Sequence, residues 1–374
     1  MHNNSQFDKR LMTRYYFCNR LQKSIELNLF MVSKDSNKQP VTIYDIARES
    51  GVSYSTVSRV LNGFEFVKDA TREKVLQAAD RLGYVANLQA RSLAGGKSNI
   101  ISLLVPKIDN SYVTEIVAGI DDELVNNDLN LMIYTTRRQF GKEQDYVNNI
   151  ARGMSDGLLL LVPLATDAYV GILRERNFPY VLIDQHDSSG ESCEVLTTNH
   201  DGAYEATQYL IEIGHRRIAF ITGLRELYST RERLAGYKSA LQDHGIAFNP
   251  EYVVEGDFWK KEAYQAATRL LALENRPTAI FAANDLSAMG AMNALRDHNL
   301  SIPKDMSVIG FDDIAQAVLA NPRLTTVRQP LEQMGRSAVE LLLEQMNQPD
   351  CPKRQIILAT ELIIRDSCQS IESE

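Results

Sequence analysis

Val41-Thr-Ile-Tyr-Asp-Ile-Ala-Arg-Glu-Ser-Gly-Val-Ser-Tyr-Ser-Thr-Val-Ser-Arg-Val-Leu-Asn62 decides how the rest of the chain is read. Thr42 can cap a first helix, with Asp45 three residues on in the position of a capping box. Ile43, Ile46 and Ala47 make the apolar stripe of that helix, and Gly51 is placed to end it. Ser53 caps a second helix over roughly 54–62. At about 100° per residue, Tyr54, Ser55, Ser58, Arg59 and Asn62 share one arc of roughly 140°, while Val57, Val60 and Leu61 occupy the opposite side. A third helix is expected over roughly 70–82, with Val75, Ala78, Ala79 and Leu82 inward. Two short helices joined by a tight turn, with small Ala47 in the first and Gly51 in the turn, form a helix-turn-helix. The polar arc of its second helix carries hydroxyls, an amide and a guanidinium. Those groups suit the major groove, where arginine grips guanine bidentately and tyrosine or serine reaches base edges and phosphates.

Charge supports a small nucleic-acid-binding unit on an acidic body. The 374-residue chain has a net charge of −8. Residues 1–39 carry seven Lys/Arg against three Asp/Glu, and residues 40–97 carry eight against six, so 98–374 hold 25 basic and 39 acidic residues. Only the amino-terminal part is suited to meet phosphate. Residues 1–39 are polar and without periodicity. They are expected to be a disordered extension or to precede an internal start near Met31.

From Asn99 onward apolar strands alternate with amphipathic helices. Strands are expected at Ile100–Val105, Leu131–Tyr134, Leu158–Val162, Tyr180–Ile183, Ile218–Ile221, Ala279–Ala282 and Val308–Gly310. Helical stretches such as Val113–Asn126, Ala203–Ile213 and Arg233–Gln242 lie between them. Continuous apolar strands separated by helices imply parallel sheets covered on both faces, and two such sheets fit the remaining length. Ligands of open α/β sheets sit beyond the carboxyl ends of strands. Asp184, Asn284, Asp285 and Asp312 follow strands directly, and Arg233 opens a helix. Carboxylates, an amide and an arginine can bind sugar hydroxyls through charge-assisted hydrogen bonds. Phe258 or Trp259 could stack on the apolar face of a pyranose.

The quoted stretch resembles the head of the lac repressor family of bacterial transcription regulators. Thr71-Arg-Glu-Lys-Val75, Leu82-Gly-Tyr84 and Ala90-Arg-Ser-Leu-Ala94 continue the likeness, which runs to Arg365. It implies a small all-α helix-turn-helix head over 40–86, a hinge helix and linker over 87–97, and an α/β core of two parallel-sheet lobes over 98–367. That core is similar to the sugar-binding proteins of the periplasm, its lobes joined by three crossovers and followed by a tail at 368–374. The resemblance assigns operator reading to Tyr54, Ser55 and Arg59. The expected DNA-contacting set is Thr42, Tyr44, Ser53, Tyr54, Ser55, Thr56, Ser58, Arg59, Asn62, Arg91 and Leu93. Leu93 is expected to be a wedge that unstacks a base step in the minor groove. The effector set implied is Tyr112, Asp184, Arg233, Phe258, Asn284, Asp312 and Gln329. A homodimeric, cytoplasmic repressor on a near-palindromic double-stranded operator follows, with affinity controlled by a small effector, a sugar being favoured. A corepressor-dependent repressor or an activator answering to a nucleoside or phosphorylated metabolite is the alternative. A sugar-binding protein without a DNA role, or a sugar-modifying enzyme of the same fold, is the remote one.

Other classes are disfavoured. Gly95-Gly-Lys-Ser98 lacks the earlier glycine of a phosphate loop, since Arg91 stands there. Neither H-E-x-x-H nor G-x-S-x-G occurs, and the six histidines are scattered, so neither catalysis nor a metal or cofactor is expected. Cys18, Cys193, Cys351 and Cys368 are far apart and fit a reducing compartment. No apolar run reaches the ~18–20 residues of a membrane span. Residues 24–32 are too short and too charged for a signal-peptide core. The chain after Asp366 has no heptads to support a coiled-coil tetramer.

Overall fold

The computed structural model describes residues 41–61, 66–84, 98–139, 141–164 and 166–371. Asn62, Arg91, Leu93 and the expected hinge helix lie outside the described residues. The chain divides into two units, residues 1–91 and 92–374.

The first unit holds α1 (Ile43–Ser50), α2 (Tyr54–Leu61) and α3 (Asp69–Leu82). The Asp45 carboxylate accepts from the Thr42 N–H at 2.9 Å and from its hydroxyl at 2.7 Å, fixing the start of α1. These bonds hold the Asp45 carboxyl below its ordinary value. Gly51 ends the helix at φ 69°, the left-handed region that favours glycine, with its N–H on the Ala47 carbonyl. Ile46, Val57, Val60, Val75, Ala78 and Ala79 are buried together. The apolar arc of α2 therefore packs, and the polar arc is left outward.

The second unit contains two lobes, each built on one six-stranded sheet. Lobe one uses β1 (Ile100–Val105), β2 (Asn130–Thr135), β3 (Gly157–Leu161), β4 (Tyr180–Ile183), β5 (Cys193–Thr197) and β11 (Gln355–Leu358). They run in the order β11-β5-β4-β3-β1-β2, all parallel. Lobe two uses β6 (Ile218–Thr222), β7 (Val253–Glu255), β8 (Ala279–Ala282), β9 (Ser307–Asp312), β10 (Thr325–Arg328) and β12 (Glu361–Ile363). Their order is β12-β10-β9-β8-β6-β7, with only β12 antiparallel. Central strands such as Ile-Ile-Ser-Leu-Leu-Val of β1 are buried along their whole length, as helices on both faces require. The chain crosses between lobes after β5, after β10 and after β11, so three segments form the hinge.

Strands β5, β7, β10, β11 and β12 were not anticipated from the sequence. β10 shows why. It begins Thr325-Thr326, both fully buried, which reads locally as a polar turn. Its polar groups are satisfied by distant partners: Thr325 N–H donates to Ser367 Oγ at 2.8 Å, and Thr326 Oγ1 donates to Asp285. The expected helices begin two to five residues earlier than their apolar pattern. The three are α4 (Ser111–Asn126), α7 (Asn199–Glu212) and α8 (Tyr228–Asp243). Their first turns are polar; Asn110 caps α4 by accepting from Val113 N–H at 3.0 Å.

Lobe one is closed by α12 (Leu331–Asn347) crossing α4 at paired glycines. A Cβ on Gly335 would lie 2.3 Å from the Ile116 carbonyl oxygen, and one on Gly119 would lie 2.0 Å from that of Glu332. Backbone cannot give way as a side-chain tip can. Gly335→Val is therefore expected to lower core stability by at least the ~1–3 kcal/mol of ordinary overpacking, measured as the denaturant midpoint. An unchanged midpoint would show that the helices can part.

Candidate functional site

In the head, α1 and α2 set out a polar face. The Tyr44 and Tyr54 rings stack at 4.8 Å with 22° between planes while staying 66% and 45% exposed. Exposed aromatic surface of this kind is available to a partner. Ser53 Oγ lies 2.9 Å from Ser55 Oγ and 2.8 Å from Thr56 Oγ1, and accepts from Thr56 N–H at 3.3 Å. Thr42, Ser55 and Arg59 are exposed, and Ser58 and Thr56 are half-buried on the same unit. The stacking of Tyr44 on Tyr54 joins two helices into one surface and was not foreseen from the sequence.

In the core, a cavity lies between the lobes, walled by residues that follow strand ends or start helices. Tyr112, Asp184, Arg233, Phe258, Asn284 and Asp312 all line it. Pro106, Asn110, Val113, Arg138, Val162, Ser229, Trp259 and Leu286 complete the wall; of these only Trp259 was offered by the sequence. It encloses about 550 Å³ with its open mouth counted. Five lining residues sit at positive φ, at Arg138 (53°), Val162 (48°), Asp184 (53°), Phe258 (62°) and Asp312 (116°). Non-glycine residues persist there only where the surroundings over-determine them, as they do at binding sites.

The polar centre is Arg233, whose side chain is 2% exposed. Its Nε donates to Asn199 Oδ1 at 2.7 Å and Nη1 donates to the Ala283 carbonyl. Nη1 also lies 3.7 Å from Asp312 Oδ1, and the guanidinium rests 3.7 Å over the Phe311 ring. Asp184 accepts from Tyr112 OH at 2.8 Å. Burial pushes the Asp184 carboxyl up, against the pull of Arg233 and the Tyr112 bond. Burial pushes Tyr112 well up, with Asp184 and Asp312 adding to it. The site thus offers carboxylates, a phenol and a guanidinium held by fixed bonds, with the Phe258 ring at the side.

Two sequence-named residues have engagements of their own. Asn284 caps α10 (Asp285–Asp297), accepting from Ser287 N–H at 2.9 Å and donating to the Phe258 carbonyl at 3.3 Å. Gln329 does not line the cavity. Its Oε1 accepts from Thr197 Oγ1 at 2.6 Å and its Nε2 donates to Asp312 Oδ1 at 2.8 Å. Both ends of the amide are spent tying the first crossover to the cavity carboxylate, because the chain passes between lobes at both Thr197 and Gln329. Asp285 also turns away: it accepts from Ile314 N–H at 2.9 Å and from Thr326. Phe258 needs Gly223, where a Cβ would come 2.0 Å from its ring. His215 bridges Thr278 Oγ1 (2.9 Å) and Ser307 Oγ (3.0 Å) at strand starts, and burial lowers its pKa to about 4, leaving it neutral.

Burial raises the Asp312 carboxyl to about 7, with Arg233 and Gln329 opposing and Asp184 adding to the rise. Above the unfolded value near 3.8 the folded protein binds more protons than the unfolded chain, so this group's contribution falls as pH rises through about 7. Stability is expected to decline over that window, and Asp312→Asn to flatten the decline. Parallel stability–pH curves for the two proteins would contradict it.

A helix-turn-helix head followed by a two-lobed core with a buried polar cavity defines the ligand-responsive DNA-binding regulators. The match to known proteins is specific. Residues 42–87 match the model for bacterial regulatory proteins of the lacI family, and residues 207–368 that for a periplasmic binding protein-like domain. The HTH-type transcriptional repressor PurR of Vibrio campbellii is 35% identical over 331 residues, covering 88% of this chain and 99% of its own. A lac repressor dimer bound to operator and the anti-inducer ONPF superposes with TM-score 0.76 at 31% identity, over 89% of this chain and all of the other. A complex of the regulator CelR with cellobiose gives 0.69 at 33% identity, over 87% of this chain and 99% of the other. The chain belongs to the lacI family of bacterial regulatory proteins.

Among the described residues no group of three or more His, Cys, Asp or Glu side chains is placed to hold a metal. No helix among them is long and apolar enough to cross a membrane.

Proposed function

We propose that this protein is a transcription repressor that binds a near-palindromic operator as a homodimer and is controlled by a small polyhydroxylated effector, a sugar being the best fit. The observation that carries the reading is the joint presence of an outward polar face on α2 and a walled cavity holding Arg233, Asp184 and Asp312. Two recognition helices enter successive major grooves of the operator. Apolar surface supports pairing of two copies: Met132 and Ile133 are exposed on edge strand β2, and Leu319 is 81% exposed on lobe two. The protein acts in the cytoplasm and catalyses no reaction.

In the site, the two carboxylates accept from sugar hydroxyls and Arg233 donates to them, while Phe258 and Trp259 cover an apolar ring face. The effector shifts operator affinity only by binding one lobe arrangement better than the other, so DNA and effector must alter each other's affinity by the same factor. The test is titration of the full chain onto DNA from its own promoter region and a scrambled duplex, across salt. A thermal-shift screen of sugars and nucleosides, with and without that DNA, follows. Specific binding that weakens steeply with salt, and a sugar that shifts both transitions, are expected. No preference for any duplex sinks the reading; a nucleoside as the sole hit replaces the sugar.

A further inference from the structure

A charged contact crosses between the lobes beside the cavity, which Arg138 itself helps to line. Arg138, beyond the end of β2 in lobe one, reaches Asp257, beyond the end of β7 in lobe two. Nη1 donates to Asp257 Oδ1 at 2.6 Å and to the Asp257 carbonyl at 3.3 Å. Both residues hold left-handed backbones, φ 53° and 51°. Two side chains are thereby aimed at each other from loops that neither sheet would otherwise fix. Beside the pair, the Trp259 ring is met by two lobe-one cations. Lys107 Nζ is 4.6 Å from its centroid and the Arg138 guanidinium carbon 5.3 Å, both within the range of cation–π attraction. Other bonds between lobes include Ser111 to Gln316 at 2.7 Å and Tyr228 N–H to Gln185 at 3.0 Å, both between neutral groups.

We propose that Arg138 and Asp257 form an electrostatic latch across the cleft, gripping Trp259, and that opening this latch gates entry to and exit from the cavity. Arg138 and Asp257 are positioning residues in the latch: they act through lobe closure and through Trp259, which lines the cavity as Arg138 does. What the latch retains rests on the effector reading, but the latch itself is testable without an effector. The side chains are 18% and 34% exposed, so the pair is partly screened and opens readily enough to serve as a gate.

Trp259 is the sole tryptophan of the chain, so its emission comes from the ring beside this contact. Acrylamide quenching of the full-length protein is the measurement. Arg138→Gln and Asp257→Asn are each expected to raise the quenching constant by about two- to fivefold, the range in which a pair of this exposure shifts an equilibrium. Raising sodium chloride to about 1 M, where the screening length is about 3 Å, should move the unaltered protein the same way. The reversed pair, Arg138→Asp with Asp257→Arg, should recover protection, which loss of folding could not mimic. Should a single variant not fold, the salt titration of the unaltered chain decides. Trp259 quenched alike in all variants and at all salt concentrations overturns the latch, and so does a reversed pair no better than the single changes. Neither result touches operator binding, so the two proposals fail separately.

Discussion

Arg233→Met is expected to destabilise the core by about 3–5 kcal/mol above pH 7, where Asp312 is ionised, the cost of removing one partner from a buried charged pair, and to remove effector binding. The guanidinium is the only cation within reach of the buried Asp312 carboxylate in the contacts described, and it also satisfies Asn199 and the Ala283 carbonyl. Methionine fills much of the volume and can rest on Phe311, so packing is nearly kept while Asn199, the Ala283 carbonyl and Asp312 each lose one partner. The loss should shrink in the double change Arg233→Met with Asp312→Asn, because a neutral amide needs no counter-charge. Denaturant unfolding of the four proteins gives the coupling directly. Strict additivity would mean that Arg233 and Asp312 do not act as a pair, and the 3.7 Å separation would then be incidental. Operator binding should survive in any folded variant, since the head packs its own core.

Arg59→Ala is expected to weaken specific DNA binding by about 1–3 kcal/mol, roughly ten- to a hundredfold, with relaxed preference at one base pair. Arg59 is exposed on the α2 face opposite buried Val57 and Val60, so its removal leaves the head folded. A phosphate contact would behave differently: affinity would drop uniformly across sequences and the salt slope would fall by about one. Binding to a set of single-base operator variants therefore separates base reading from positioning. Equal losses on every variant would reassign Arg59 to the backbone. Tyr54→Ala adds a second arm, because it breaks the stack with Tyr44 and should cost affinity without altering the preference read by Arg59.

The head was legible because its determinants are local. A cap at Thr42, a left-handed glycine at position 51 and apolar residues at spacings of three and four lie within a few turns of each other, and each has one physical solution. The alternation of buried strands with helices was legible for the same reason. It fixed two sheets but not their full membership, since β10 is polar in sequence and becomes a strand only when Asp285 and Ser367 meet its hydroxyls and N–H.

The cavity was readable in part. Residues directly after apolar strands, such as Asp184 and Asp312, could be named from position alone. Arg138 could not, because only the fold puts it opposite Asp257, 119 positions away. Gln329 was named with the cavity and lies behind it, since sequence gives the neighbourhood of a side chain but not which way its amide is turned. The sequence by itself thus determined the kinds of element, the composition of the recognition helix and the strand ends where a ligand would lie. The tertiary structure alone decided the crossovers, the partners of each buried charge and the contact that shuts the cleft. Those depend on hydrogen bonds and ion pairs between segments that no local periodicity relates.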